Sequence, residues 1–279
     1  MIIFIFARII ILMTLKNKVV AITGASSGIG KALALDALSR GAKVAVCARN
    51  IEKLKDTYKS FSEILLVQAD VSKKEDCFNF ILAIEDKWDR IDILINNAGN
   101  SMRALFEDLD VKVLEELMAV NFWGTVYATK AALPSIIKNK GTIVGVSSIA
   151  GYRGLPGRTG YSASKFAMQG FLECLRTELL YKSVNVMWVA PGFTNSNIRN
   201  TALAADGNAQ QETPLDESKL MSAEQCAQII LNGIEKRKRT IVMTTQGKLT
   251  VLLNKFFPKL MDKIVFNHFA KEADSPLKK

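Results

Sequence analysis

The chain has 279 residues, of which 49% are hydrophobic and 23% are charged. A chain of this size can bury one large core, and its composition excludes a largely disordered protein. Its formal net charge is +10. From Glu235 to Lys279, 11 lysines and arginines stand against 4 acidic residues, so any anionic partner is expected to meet this end. A soluble protein with a surplus of lysine is the alternative. Nucleic acid is not expected, because no array of aromatic and basic residues accompanies the charge.

The cysteine and histidine content limits the chemistry. Four cysteines, Cys47, Cys77, Cys174 and Cys226, are scattered without a CxxC pair. This pattern predicts a reducing compartment, here the cytoplasm. The chain has a single histidine, His268, so a His-rich zinc site is excluded and no metal site is predicted.

The first residues are strongly apolar and form a predicted leader over residues 1–14. The apolar stretch ends at Met13 and is shorter than the ~20 residues that span a bilayer. It also lacks the basic region and the small-residue cleavage site of a signal peptide. An over-extended start or a disordered leader is the favoured interpretation. A short membrane-associating segment is the alternative, and a true span is the least favoured.

Short apolar runs alternate with helical patterns over residues 15–245, which we predict to be one catalytic domain. Continuous apolar strands between helices are typical of a parallel sheet covered on both faces. We therefore predict a single-domain, doubly wound α/β (Rossmann) fold with ligands at the carboxyl ends of the strands. The predicted strands are Lys18–Thr23, Lys43–Ala48, Ile64–Ala69, Ile91–Ile95, Thr142–Ser147, Val184–Val189 and Thr240–Met243. The predicted helices are Gly28–Ser39, Glu52–Ser60, Lys74–Trp88, Leu109–Ile137, Tyr161–Tyr181 and Ala223–Ile234.

One long segment, Phe193–Ser222, has no strong periodicity. A loop of this length inside a compact domain is usually functional. Since it follows a strand end, we expect it to be a lid over a substrate.

A glycine-rich turn joins the first strand to the first helix. Its glycines follow a GxxxGxG spacing, which permits a tight turn and close approach to a pyrophosphate at a helix N-terminus. A structural turn is the alternative. The candidate cofactor-binding residues of this turn are Gly24, Ser26, Ser27, Gly28, Ile29 and Gly30.

The other strand ends supply further candidates for the same cofactor. The second strand ends at Arg49 without an acidic residue, and a cation there favours the 2′-phosphate of NADP(H) over the ribose of NAD. Taken singly, each of the remaining groups is equally compatible with an ordinary turn. They are Asp70 and Val71 for the adenine edge, Asn97, Ala98 and Gly99 beside the ribose, and Pro191, Gly192, Thr194 and Ser196 for the nicotinamide carboxamide.

Ser148, Tyr161 and Lys165 are the candidate catalytic residues. Tyr161 and Lys165 are four residues apart on a predicted helix and so share one face. A nearby ammonium favours the phenolate and would lower the pKa of the tyrosine, which could then exchange a proton with a carbonyl or alcohol oxygen. Ser148 follows the fifth strand, where its hydroxyl could bond the same oxygen. A pair on the helix surface is the alternative.

The motifs TGASSGIG, NNAG, YSASK and PG, in this order and spacing, resemble the short-chain dehydrogenase/reductase family. The resemblance covers about Leu15 to Met243, and is strongest to NADP-dependent members such as the 11β-hydroxysteroid dehydrogenase-like and 3-ketosphinganine reductase groups. It implies that Asn121 serves a proton relay and that Lys165 bonds the nicotinamide ribose. It also implies a homodimer or homotetramer formed through Leu114–Ile137 and Ser164–Leu180. Ser196 departs from the threonine that is common in the family at this position, but keeps its hydroxyl.

Residues 246–279 form a basic C-terminal extension in which apolar residues recur among lysines. The pattern resembles an amphipathic helix broken at Pro258 that lies on an anionic membrane. Packing on a partner subunit or over the active site is an equal alternative.

Together these features predict an NADP(H)-dependent oxidoreductase acting on a small, apolar ketone or secondary alcohol, cytoplasmic and with a peripheral membrane contact. A catalytically idle NADP-binding regulatory or scaffold protein is the alternative. The intact set of Ser148, Tyr161 and Lys165 argues against it.

Overall fold

A computed structural model describes residues 14–196, 198–210, 220–272 and 275–278. Residues 1–13 of the predicted leader, and residues 197 and 211–219 of the predicted lid, lie outside these residues.

Seven parallel strands form one sheet in the order β3-β2-β1-β4-β5-β6-β7. The order reverses between β1 and β4, which creates the crevice at the carboxyl ends where such sheets bind ligands. The strands are β1 (Val19–Thr23), β2 (Lys43–Ala48), β3 (Leu65–Gln68), β4 (Ile93–Asn96), β5 (Thr142–Val146), β6 (Asn185–Ala190) and β7 (Thr240–Val242).

Helices cover both faces of the sheet. In β1, Val20 and Ile22 enter one core cluster, whereas Val19 and Ala21 enter the other, as alternation along a strand requires. The predicted doubly wound α/β fold is confirmed. The helices are α1 (Gly28–Ser39), α2 (Ile51–Thr57), α3 (Lys74–Trp88), α4 (Val111–Leu117), α5 (Gly124–Lys138), α6 (Thr159–Glu178), α7 (Ala223–Glu235), α8 (Thr245–Phe256) and α9 (Pro258–Ala270).

The predicted single helix Leu109–Ile137 is divided in the structure. It begins as α4, widens into a π-helical turn over Met118–Trp123, and continues as α5. The turn contains the buried Asn121, whose side-chain amide donates to the backbone oxygen of Asn100. Such π turns are frequent at functional sites. The interruption of the predicted helix therefore lies at a candidate catalytic residue, Asn121.

The C-terminal extension forms α8 and α9, with Pro258 in the first turn of α9, where proline is tolerated. One face of α9, formed by Met261, Val265 and Phe269, packs with Leu155 and Phe193 from the loops after β5 and β6. Packing beside the candidate active site, one of the two alternatives, is thus observed. Within the described ranges, no helix is both long and apolar enough to cross a bilayer.

Candidate active site

The turn after β1 is built for close approach of another group. Gly24 has φ +68°, and a Cβ atom there would lie 2.6 Å from the Cα of Ala98. Only glycine fits, because the left-handed backbone and the contact both exclude a side chain. Gly28, also with a positive φ of +54°, opens α1. The free N–H groups and positive dipole end of α1 therefore face the crevice, as a bound pyrophosphate requires.

Asn97 and Thr23 hold this turn in place. The Asn97 side-chain amide donates to the backbone oxygens of Thr23 and Gly24, at 2.9 and 3.0 Å. The Thr23 hydroxyl accepts from the backbone N–H groups of Asn97 and Ala98. Asn97, expected beside the cofactor ribose, therefore fastens β4 to the glycine turn of β1 with its side chain.

Arg49 and Asp70 lie at the carboxyl ends of neighbouring strands. Arg49 is exposed directly after β2, and its backbone oxygen accepts from Gln68 at the end of β3. Asp70 is half-buried after β3, and one of its carboxylate oxygens accepts from the Ser72 backbone and hydroxyl. Val71 is buried against Gly124 of α5. Arg49 is thus exposed at the edge of the crevice. Asp70 and Val71, by contrast, contact neighbouring parts of the protein, namely Ser72 and Gly124.

Ser148 and Tyr161 meet at the carboxyl end of β5. The Ser148 hydroxyl accepts from the Ala150 N–H at 3.1 Å. Burial raises the pKa of Tyr161, while the Ser148 hydroxyl and the nearby charge of Arg158 act to lower it. We expected the Lys165 ammonium to lower the pKa of Tyr161. The pKa is raised instead, because the effect of burial outweighs the groups that favour the tyrosinate form.

Lys165 is buried one helical turn beyond Tyr161. Its ammonium donates to the Val146 backbone oxygen at 2.9 Å and lies 5.7 Å from the centre of the Tyr161 ring. Burial lowers the pKa of Lys165 to about 8. The bond to β5 fixes the side chain at the strand end that also carries Ser148.

Asn121 and Gly99 complete this cluster. Asn121 is fully buried, and its amide donates to the Ser164 hydroxyl at 2.8 Å. A Cβ atom at Gly99 would lie 3.1 Å from the Asn121 side-chain oxygen and 3.3 Å from the Lys165 nitrogen. A side chain at residue 99 would therefore crowd two candidate catalytic groups, and glycine lets both approach the backbone.

The segment after β6 forms the opposite wall of the crevice. Pro191 accepts from the Ile149 N–H through its carbonyl oxygen, which joins this wall to the loop after β5. The buried Thr194 donates through its hydroxyl to the Gly192 backbone oxygen. A Cβ atom on Gly28 would lie 3.3 Å from the Cβ of Ser196. The residues expected to grip the nicotinamide thus come close to the glycine turn.

Two charged residues near the site, Arg158 and Glu272, are not among the candidates predicted from the sequence. Arg158 immediately precedes α6 and its charge acts on Tyr161. Glu272, from the C-terminal extension, is buried and pairs with Arg158. The position of Arg158, three residues before the tyrosine, is a signal that sequence could have offered. Nothing local marks Glu272, since only the fold brings it there.

The comparisons with known proteins agree with this geometry. Residues 18–207 match the family model described as short chain dehydrogenase. The chain is 33% identical to dehydrogenase/reductase SDR family member 7B of Rattus norvegicus over 273 residues, covering 94% of this chain and 84% of that protein. It is 35% identical to 11-beta-hydroxysteroid dehydrogenase A of Arachis hypogaea over 258 residues, covering 88% of this chain and 74% of the relative.

Solved structures show the same fold. A short chain dehydrogenase from Burkholderia cenocepacia in complex with NADP superposes with a TM-score of 0.78 at 25% identity, covering 91% of this chain and 99% of that one. A short chain dehydrogenase/reductase from Burkholderia phymatum in complex with NAD superposes with a TM-score of 0.80 at 22% identity, covering 89% and 96%. This chain therefore belongs to the short-chain dehydrogenase/reductase family of nicotinamide-dependent oxidoreductases.

Proposed function

We propose that the chain is an NADP(H)-dependent reductase of apolar ketones, or the matching alcohol dehydrogenase. The observation that carries this proposal is the buried Lys165, which bonds the end of β5 just before Ser148 and lies 5.7 Å from the centre of the Tyr161 ring. A bound nicotinamide supplies the hydride in the reduction. The catalytic domain is proposed to span residues 15–245 and the extension residues 246–279.

The roles of the polar residues follow from their positions. Tyr161 donates a proton from its phenol to the carbonyl oxygen, and Ser148 orients that oxygen by a second hydrogen bond. Lys165 and Asn121 both lie beside Gly99, and we assign them the cofactor ribose and a water-linked proton relay. The glycine turn and the start of α1 bind the pyrophosphate. Pro191, Gly192, Thr194 and Ser196 form the nicotinamide wall.

Apolar groups beside Tyr161 support the substrate class. The Tyr161 ring packs with a buried cluster of Met102, Val113, Leu117 and Leu203. Transfer of the apolar part of a small ketone from water to such side chains is favourable, by roughly 25 cal/mol per Å² of apolar area removed from water. The test is consumption of NADPH by the purified full chain with a panel of apolar and polar ketones. Turnover confined to apolar ketones supports the proposal, whereas NADPH binding without any turnover supports the idle regulatory alternative.

Arg49 supports the choice of NADP(H), because its exposed guanidinium stands after β2 without an acidic neighbour on that strand end. We expect Arg49→Ala to weaken NADPH binding about tenfold or more, as loss of a charged hydrogen bond does, and to leave NADH binding nearly unchanged. Titration followed by quenching of tryptophan fluorescence measures both affinities. Lys43→Ala, at the opposite end of the same strand, is the matched control. Tighter binding of NADH than of NADPH to the native chain would contradict this choice.

The outer surface of the extension supports a peripheral membrane contact of a cytoplasmic protein. Exposed apolar side chains lie on both helices beside lysines, and neither the β5 loop nor Phe193 covers them. This combination of apolar and basic groups fits an anionic lipid surface. The exposed residues are Leu249, Leu252, Phe256, Phe257, Leu260, Ile264 and Phe266, with Lys248, Lys255, Lys259 and Lys263 among them.

Replacing exposed apolar residues should release the chain from lipid. We expect Leu252→Ser with Phe256→Ser to lower binding to vesicles of mixed anionic and zwitterionic lipid several-fold, because apolar area no longer enters the interface. Co-sedimentation measures the bound fraction. Phe61→Ser is the control, because Phe61 is exposed just before β3, at the opposite edge of the sheet from β7, which α8 follows. Equal binding of the double variant, or no binding of the native chain, would contradict the membrane contact.

We also propose a homodimer or homotetramer. Large apolar side chains remain exposed on the two central helical stretches, notably Trp123 and Phe166, which are 46% and 47% exposed. Trp123 stacks on Tyr127, so the exposed aromatic surface is continuous along this helix. An apolar patch of this kind is typical of a subunit contact.

A further inference from the structure

The C-terminal extension places a carboxylate against the loops that border the active site. The Glu272 side chain is 4% exposed and accepts from the Arg158 guanidinium at 3.3 Å. The guanidinium of Arg103, from the segment after β4, lies 3.5 Å from the same carboxylate. Because a buried carboxylate is costly unless it is paired, this contact fastens the extension to both loops.

Arg158 is held by the extension from a second side. Its guanidinium lies 4.6 Å from the centre of the Phe269 ring, a cation–π contact with the last turn of α9. Phe269 in turn packs in the cluster of Met261, Val265 and Leu155. The two contacts, one charged and one aromatic, restrict the guanidinium to a small volume at the start of α6. The Arg158 backbone oxygen accepts from the Ser162 N–H at 2.9 Å, so Arg158 and Tyr161 belong to the same first turn of α6.

We infer that Glu272 is a positioning residue: with Phe269 it holds the guanidinium of Arg158 beside Tyr161, so the C-terminal extension supplies part of the active site's electrostatic environment. A fixed cation near a phenol stabilises the tyrosinate form. Arg158 thus opposes the effect of burial on Tyr161. This inference rests on the proposed function, since it matters for catalysis only if Tyr161 transfers the proton.

The test follows the ionisation of Tyr161 itself. Ultraviolet absorbance of tyrosinate is titrated in the full chain, and the signal of a Tyr161→Phe variant is subtracted to isolate this residue. We expect Arg158→Met to move the Tyr161 midpoint to higher pH, because the cation is removed. Glu272→Gln should move it in the same direction, because the neutral amide does not hold the guanidinium in place. Glu272→Asp keeps the charge and should restore most of the native midpoint.

A second ion pair provides the matched control. Arg153 and Asp262, 2.5 Å apart, also join α9 to the loop after β5. We expect Asp262→Asn to leave the Tyr161 midpoint unchanged, although it loosens the same two elements. An unchanged midpoint in Glu272→Gln or Arg158→Met would overturn the inference. A downward shift in Glu272→Gln would also overturn it, since Glu272 would then screen Arg158 instead of positioning it.

The titration needs no substrate. A chain that reduces no ketone but shows the shifts would refute the proposed function and leave the electrostatic coupling intact. Should Glu272→Gln fail to fold, Glu272→Asp and Arg158→Met still decide the matter, because a native midpoint in Arg158→Met alone overturns the inference.

Discussion

Tyr161→Phe is expected to lower the turnover of any accepted ketone by about 10²–10⁴-fold, the usual contribution of a positioned acid. The substitution removes only the phenol hydroxyl and keeps the ring that packs with Met102, Val113 and Leu203. NADPH affinity should therefore remain nearly native. The measurement is kcat for NADPH consumption, together with the Kd of NADPH from tryptophan fluorescence.

Tyr152→Phe is the matched control for this prediction. Tyr152 lies in the loop between β5 and α6, and its phenol accepts from the Trp188 indole at 2.7 Å. Loss of that hydroxyl removes a structural hydrogen bond worth about 1 kcal/mol, so a modest loss of stability with near-native turnover is expected. Native turnover in Tyr161→Phe, or an equal loss in Tyr152→Phe, would reject Tyr161 as the acid.

Much of the fold could be predicted because its signals are local. Each buried strand is a short apolar run, and the glycine turn after β1 lies between a strand and a helix. The same holds for Tyr161 and Lys165, since a spacing of four residues on a helix fixes a shared face. Because the strands are parallel, Ser148, which follows β5, lies at the same edge of the sheet as the glycine turn, which follows β1.

The rest of the site depends on contacts between distant segments. The π turn at Asn121 arises from bonds to Asn100 and Ser164, which no periodicity within the helix reveals. The pairing of Glu272 with Arg158 joins residues 114 positions apart. The direction of the Tyr161 pKa shift was also wrong in the sequence analysis, because the extent of burial is a property of the packed structure.

Lys165→Met is expected to abolish turnover and at the same time stabilise the folded chain without cofactor. At neutral pH the native fold must bury the Lys165 ammonium, and its lowered pKa of about 8 records that cost. Methionine has a similar length, no charge and a flexible side chain that fills the same space. The gain in free energy of unfolding should be of the order of 2–3 kcal/mol, reduced by loss of the bond to Val146. Denaturant unfolding of both chains measures it.

The pH dependence of this gain has a definite sign. Lys165 has a folded pKa of about 8 and an ordinary value of 10.5, so between these values the unfolded chain binds more protons than the folded chain. The free-energy cost of burying the Lys165 ammonium is therefore fully present below the folded pKa. It fades as the pH rises toward 10.5, the ordinary pKa of the group. The stability difference between Lys165→Met and the native chain should be largest at neutral pH and decrease in alkaline solution.

The exposed Lys31 of α1 provides the control. Lys31→Met should change the free energy of unfolding by less than about 0.5 kcal/mol at every pH, as surface substitutions usually do. A native or reduced stability of Lys165→Met at neutral pH would show that the ammonium is solvated or compensated in the folded chain. If instead the variant is more stable and inactive, the same buried cation that weakens the fold is one that the chemistry requires. The conflict between stability and function would then be located at one atom, the Lys165 side-chain nitrogen.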